Sequence, residues 1–261
     1  MILRRLGNKK KIAKEIQKYF PPHSIYIEPF FGAGGMFFNK PKAKYNIVND
    51  LDSDVFNLFQ VITENRKELD SLLRITPLHS DLIKHWKKKN KETNPIKKAV
   101  IFLFISNLLR PTTGDINRKG YDSGKDLMID NLSLTIDFLT KTNIRFFNED
   151  CLKFIDNIGL RGLERPKEDA NMFIYCDPPY LGTSNNYEFS FTEEQSISLF
   201  DSLINKGVKF AMSEFDHPFI LEQAENRGLN IIYIGERQNL KNRRTEILVT
   251  NYENNQKTLW A

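Results

Sequence analysis

Four consecutive residues have types and an order suited to chemistry. Asp177-Pro178-Pro179-Tyr180 follows Met172-Phe173-Ile174-Tyr175-Cys176, an apolar run that reads as a β-strand. An acid at the tip of such a strand lies where open α/β sheets bind their ligands. The prolines fix φ and donate no N–H, so the Pro178 carbonyl is held rigidly and can face a ligand. Tyr180 adds an aromatic face. A proline-rich turn leaving a strand is the plainer reading of the two prolines taken alone.

Other segments carry weaker signals of the same kind. Glu28-Pro29-Phe30-Phe31-Gly32-Ala33-Gly34-Gly35 follows a short β-rich run at 24–28, and its glycines permit φ > 0 and close backbone approach. Dinucleotide enzymes use a similar turn, but Phe37 stands where the third glycine of G-x-G-x-x-G belongs. Asp50 ends a second strand at 45–50, placed to accept the two hydroxyls of a ribose. Asp52 and Asp54 come next as candidates to cap the following helix. Asn148-Glu149-Asp150-Cys151 follows a strand at 144–147. There too an N-cap competes with a binding role.

Asp177-Pro178-Pro179-Tyr180 resembles the D-P-P-Y motif of amino-group methyltransferases that use S-adenosyl-L-methionine (SAM). The resemblance implies a flipped-out base as substrate. An exocyclic amine shares its lone pair with the ring and is a poor nucleophile. Asp177 and the Pro178 carbonyl would accept its two hydrogens and draw the nitrogen toward sp³ geometry, so that the lone pair points in line at the sulfonium methyl. Asp177 would also stabilise the charge that develops on nitrogen, and Tyr180 would stack on the base. The catalytic set implied is Asp177, Pro178, Pro179 and Tyr180.

The glycine loop is similar to the SAM loop of Dam-type (alpha group) DNA adenine-N6 methyltransferases, E/D-P-F-x-G-x-G/A. Arg5-Leu6-Gly7-Asn8-Lys9 is similar to that family's W-A-G-G-K segment, with Arg5 for the aromatic and Asn8 for the second glycine. The cofactor set implied is Gly7, Lys9, Glu28, Pro29, Phe30, Gly32, Gly34, Gly35, Asp50, Asp150, Cys151 and Asp177. Within it Lys9 neighbours the catalytic acid and Asp150 reads the adenine amine of the cofactor. Ala211-Met212-Ser213 and residues 244–252 resemble the closing strands, with Glu214 in place of an asparagine. The order of segments, with a large insertion before Asp150, is that of the alpha group. The chemistry implied needs no metal.

These residues need a scaffold of strands alternating with helices. Strand signals recur at 144–147, 172–176, 208–212, 230–234 and 246–250, and helical spacing at 9–20, 54–73, 95–109, 193–205 and 217–226. The pattern predicts an α/β fold with a doubly wound, mostly parallel, Rossmann-like sheet. Residues 1–55 and 142–261 form the expected SAM-binding domain. Residues 56–141 are an inserted, mainly helical segment, Lys-rich from about 74, with a polar loop at 111–126. On the resemblance this insertion is the target-recognition domain and double-stranded DNA the partner. Lys88 and Lys89 would meet phosphates, while Arg110, Asn117, Arg118 and Lys119 would lie near base edges. Tyr187 would close over the flipped base. Residues 106–111 match the family's N-R-x-x-x-N-G poorly, so its common G-A-T-C specificity is not carried over.

Composition sets the outer bounds. The 261 residues carry 38 Lys+Arg against 33 Asp+Glu, a net charge of +5, and 40% apolar residues can build a sizeable core. Basic residues cluster at 4–18, 84–98 and 241–244, an electrostatic footprint for a polyanion if they converge. The longest apolar run, 99–105, is far short of a membrane span, and no secretory signal is expected at the N-terminus. Two cysteines and four scattered histidines offer neither a disulfide framework nor zinc spacing, so a reducing cytoplasm is the expected setting. The alternatives are the same chemistry on cytosine N4 or RNA adenine, a nucleotide-cofactor oxidoreductase, and a DNA-binding module without activity. A restriction endonuclease acting separately is a partner that the resemblance allows.

Overall fold

The computed structural model describes residues 2–3, 8–89, 91–109, 121–159, 171–182, 191–238 and 243–253. Seven strands form one sheet: β1 (Ile25–Glu28), β2 (Tyr45–Asn49), β3 (Ile144–Phe147), β4 (Met172–Cys176), β5 (Lys209–Phe215), β6 (Asn230–Gln238) and β7 (Arg243–Thr250). Their order is β3-β2-β1-β4-β5-β7-β6. The first five run parallel, and β7 enters antiparallel between β5 and β6. The doubly wound, mostly parallel α/β fold expected from the strand–helix alternation is the fold observed.

Period-two alternation sorts each strand between two cores. Tyr26, Val48, Phe173, Tyr175, Ala211 and Leu248 face one. Ile27, Ile47, Ile174, Cys176, Met212, Ile247 and Val249 face the other, under α7 (Cys151–Asn157), α8 (Glu193–Asn205) and α9 (Pro218–Asn226). The first face is covered by α1 (Ala13–Gln17) and by five helices between β2 and β3: α2 (Ser53–Glu64), α3 (Arg66–Ile75), α4 (Ser80–Lys89), α5 (Pro95–Leu108) and α6 (Tyr121–Thr140). Leu69, Ile83, Phe104 and Leu132 of these helices belong to the same buried cluster as Tyr26 and Phe173. The helical segment therefore shares its core with the sheet.

Three elements differ from the sequence pattern. The single helix expected over 54–73 is broken at Asn65, whose φ −127°, ψ 36° are not helical. A helix, α4, occupies the Lys-rich stretch, anchored by fully buried Ile83 and by Trp86, whose ring meets Phe104 edge-on. Residues 121–126, expected in a polar loop, begin α6. Gly124 explains the packing there, since a Cβ on it would lie 2.8 Å from Leu108. Residues 111–120 lie outside the described part of the chain. No described helix is long and apolar enough to cross a membrane.

Candidate active site

Strand order reverses between β1 and β4, because β1 leads to β2 on one side and the chain later returns to place β4 on the other. Such a switch point opens a crevice at the carboxyl ends of the strands. Glu28 ends β1, Asn49-Asp50 ends β2, Asp150 follows β3 and Asp177 follows β4. The residues singled out by type are thus gathered at one edge of the sheet by the direction of its strands.

The glycine loop is tied down from both sides. Asn49 donates to the Pro29 and Glu149 carbonyls at 3.1 and 3.0 Å and accepts the Glu149 N–H at 2.9 Å, joining the loop to the turn after β3. Asp50 accepts the Gly32 N–H through Oδ2 at 2.5 Å and the Asp52 N–H through Oδ1 at 2.9 Å. Gly32 and Gly34 have φ of 55° and 70°, a region that disfavours side chains. A Cβ on Gly35 would lie 2.2 Å from Asn8 Oδ1, so the N-terminal segment is laid directly on this loop. Phe30 is half-buried and meets Phe191 edge-on at 6.0 Å.

The contact between Gly35 and Asn8 delivers Lys9 to the site. Its side chain is only 3% exposed, and Nζ lies 2.5 Å from Asp177 Oδ1, 3.5 Å from Glu246 Oε1 and 4.5 Å from the centre of the Tyr180 ring. The Tyr180 hydroxyl donates to Glu246 Oε1, and the ring, 9% exposed, packs edge-on against Phe215 at 4.6 Å. Pro178 is buried and Pro179 half-buried. One ammonium group thus links the acid of the D-P-P-Y segment, its tyrosine and a carboxylate from β7.

Burial sets the protonation chemistry around this link. Burial holds the Glu28 carboxyl well above the usual carboxylate range. The Tyr26 hydroxyl, bonded at 2.8 Å, and Lys40 oppose the shift, while Asp177 and Asp50 add to it. Burial likewise pushes the Tyr180 hydroxyl well up, with Asp177 and Glu246 adding. Cys151, half-buried, has its thiol pushed up to about 12 by burial and the Asp150 charge, which makes it a poor nucleophile. Asp150 itself caps α7, its Oδ1 accepting the Leu152 and Lys153 N–H at 3.0 and 3.2 Å. Asp52 caps α2 in the same way.

Two acids at this site had no role assigned from the sequence, where Glu214 stood out only as a replacement for an asparagine. Glu214 and Glu246 are 2% and 1% exposed, on the adjacent strands β5 and β7. Glu214 accepts the Leu181 N–H at 2.7 Å and the Phe215 N–H at 2.5 Å, fixing the chain as it leaves Tyr180. Burial pushes its pKa up to about 8, against the two N–H bonds and Lys9. The folded carboxyl keeps its proton where the unfolded one, near 4.5, has lost it, so Glu214 lowers stability as pH rises from about 4.5 to about 8. Glu214→Gln removes this titration. Its thermal midpoint is expected to fall less steeply between pH 5 and 8 than that of the wild type, and parallel curves would contradict the assignment.

Of the residues proposed to meet DNA, Lys88 is exposed on α4 and Lys89 ends that helix. Lys98 pairs with Asp54 at 2.7 Å and ties α5 to α2. Gly7, Arg110, Asn117, Arg118, Lys119 and Tyr187 lie outside the described residues. Among the described residues no group of three His, Cys, Asp or Glu side chains is arranged to hold a metal ion.

Residues 6–247 match the family model of the D12 class N6 adenine-specific DNA methyltransferases. The chain belongs to that family. The methyltransferase is 24% identical to a DNA adenine methylase of Escherichia coli K12, over 89% of this chain and 86% of the relative. It is 22% identical to a type II methyltransferase of Lactococcus lactis subsp. cremoris, over 95% and 94%. Among solved structures, a putative methyltransferase from Streptococcus mutans in complex with SAH covers 96% of the methyltransferase and 99% of its own chain, at 8% identity and a TM-score of 0.39. The family match makes the D12 methyltransferase an enzyme of DNA adenine methylation, and DNA is its substrate.

Proposed function

We propose that the protein transfers the methyl group of SAM to N6 of an adenine swung out of duplex DNA, with Asp177 and the Pro178 carbonyl holding the amine. The observation that carries this reading is the placement of Asp177 at the switch point of the sheet, bonded by a buried lysine at 2.5 Å. The residues present suit the cofactor. A Cβ on Gly32 would meet nothing within 4 Å, so the loop borders open space there. Asp50, bonded to the Gly32 N–H, sets a carboxylate beside this space, which suits a cationic ligand. When bound, SAM supplies a methyl group on a positively charged sulfur.

The chain's own residues do the rest. Lys9 donates to Asp177 Oδ1 and orients the carboxylate, so Oδ2 faces the amine. Oδ2 and the Pro178 carbonyl each accept one N6 hydrogen, which turns the nitrogen lone pair away from the ring. As the nitrogen gains positive charge, the Asp177 carboxylate stabilises it without reorganisation. Tyr180, gripped by Glu246, would stack on the base with the face opposite Lys9. Glu28 and Asp50 shape the cofactor side, and Asp150 would add a contact to the adenine of SAM beyond its capping bonds.

Helices α2–α6 are assigned to target recognition, with Lys88 and Lys89 on α4 contacting phosphate and Arg110, Asn117, Arg118 and Lys119 near base edges. Tyr187 would close over the flipped base, and Gly7 would complete the N-terminal strap. The two free cysteines suit a reducing cytoplasm as the working compartment. The reading accommodates a solitary methyltransferase and one paired with a separately acting restriction endonuclease. Incubation with methyl-labelled SAM and duplex DNA, then nucleoside analysis, tests the reaction. Label is expected in N6-methyladenine; label in cytosine, RNA or protein alone would overturn it.

A further inference from the structure

Two basic side chains converge on the turn that leaves Tyr180. Arg244 is two residues before Glu246 on β7, so both side chains leave the same face of the strand, roughly 7 Å apart. The Arg244 guanidinium lies over the Phe215 ring at 5.5 Å, and that ring meets Tyr180 at 4.6 Å. A Cβ placed on Gly182 would lie 3.8 Å from His217 Nε2 and 4.0 Å from Arg244 Nη1. Gly182, at φ 71°, carries none, so both groups approach its backbone closely.

Both groups bring N–H donors to this turn. His217 Nδ1 accepts the Phe219 N–H at 3.3 Å, as N-cap of α9, so the ring proton sits on Nε2. Arg244 Nη1 is buried and has no hydrogen-bond partner among the described residues. The adjacent Asp216 turns its Oδ1 to the Thr245 N–H instead, at 3.1 Å. A buried guanidinium nitrogen left unbonded is costly, and an anionic acceptor on a ligand would satisfy it.

We propose that Arg244 and His217 bind a phosphodiester of the DNA strand that carries the target adenine. The proposal rests on Asp177–Tyr180 being the target-base pocket. A base swung into that pocket leaves its sugar and flanking phosphates at the rim, and Arg244 stands at that rim, behind Tyr180. The order β1-β4-β5-β7 places it about 10 Å beyond Asp177, on the side away from the glycine loop. An anion here therefore belongs to the nucleic acid and not to the cofactor. The planar fork of arginine matches phosphate oxygens, and the contact holds register without reading sequence.

Arg244→Gln keeps a polar side chain of shorter reach and removes the guanidinium with its charge. The test is binding and turnover of the full chain, with SAM, on a duplex that the wild type methylates, in rising NaCl. The DNA KM is expected to rise about tenfold, and the slope of log affinity on log salt to become shallower by about one. A methylphosphonate beside the target adenine should weaken the wild type and leave Arg244→Gln unchanged. An unaltered salt slope, or a defect confined to SAM affinity, would overturn the proposal. Failure of the base-pocket reading shows separately, as an Asp177→Asn variant that methylates like the wild type.

Discussion

Asp177→Asn is expected to slow methyl transfer at least about a hundredfold and to leave SAM affinity essentially unchanged. Asparagine keeps the shape of the side chain and one acceptor oxygen. It brings no negative charge to meet the positive charge that grows on N6 during attack. That charge is absent from the ground state, so the loss falls on the chemical step and not on binding. Single-turnover rates at saturating SAM and DNA, with calorimetric titration of SAM, separate the two. Loss of cofactor binding at an unchanged single-turnover rate would mean that Asp177 serves the cofactor alone.

Lys9→Met carries the largest expected effect on stability. The ammonium is 3% exposed and bridges Asp177 and the nearly fully buried Glu246. Methionine preserves the stem but leaves Glu246 with the Tyr180 hydroxyl and without its cation. Breaking a buried pair from one side costs about 3 kcal/mol or more, which is roughly 6–12 °C in Tm for a chain of about this size. The double variant Lys9→Met/Glu246→Gln, which removes both charges, should regain much of that loss. Transfer should stay slow in both, because Asp177 remains unoriented. A single variant that melts with the wild type would show that the ion pair contributes nothing.

The parts of this site legible in the sequence share one property: each lies at the end of a strand that announces itself by local pattern. Asp177, Asp50, Glu28 and the glycines required only the recognition of an apolar run and of the residues immediately after it. The family match over residues 6–247 spans all of those segments. Contacts made across the fold were not legible in local pattern. Lys9 meets Asp177 from 168 positions away, a contact that only the resemblance implied, and Glu246 meets Tyr180 from 66, which neither indicated. A signal was present in Glu214 and Glu246, acids inside otherwise apolar strands, but their partners exist only once β5 and β7 pair. Asp50, whose spacing suits a ribose, also holds the Gly32 and Asp52 N–H groups, and those two bonds were not legible either.

The helices on the first face of the sheet are hidden from local pattern for a related reason. The stretch at 80–89 is rich in lysine, and its helical character rests on Ile83 and Trp86 packing under α5. Gly124 looks like a loop residue until Leu108 is placed against it, where its missing side chain permits close helix packing. In both cases tertiary contact outweighs local propensity.

The proposed reaction depends above all on the Asp177 carboxylate and the Pro178 carbonyl holding the N6 amine of a flipped adenine. The most direct measurement is a crystal structure of the protein with a duplex it methylates and a non-transferring analogue of SAM. The adenine is expected outside the helix, with N6 within hydrogen-bond distance of both Asp177 Oδ2 and the Pro178 carbonyl oxygen. An adenine still stacked in the duplex, or a flipped base whose N6 meets neither oxygen, would contradict it.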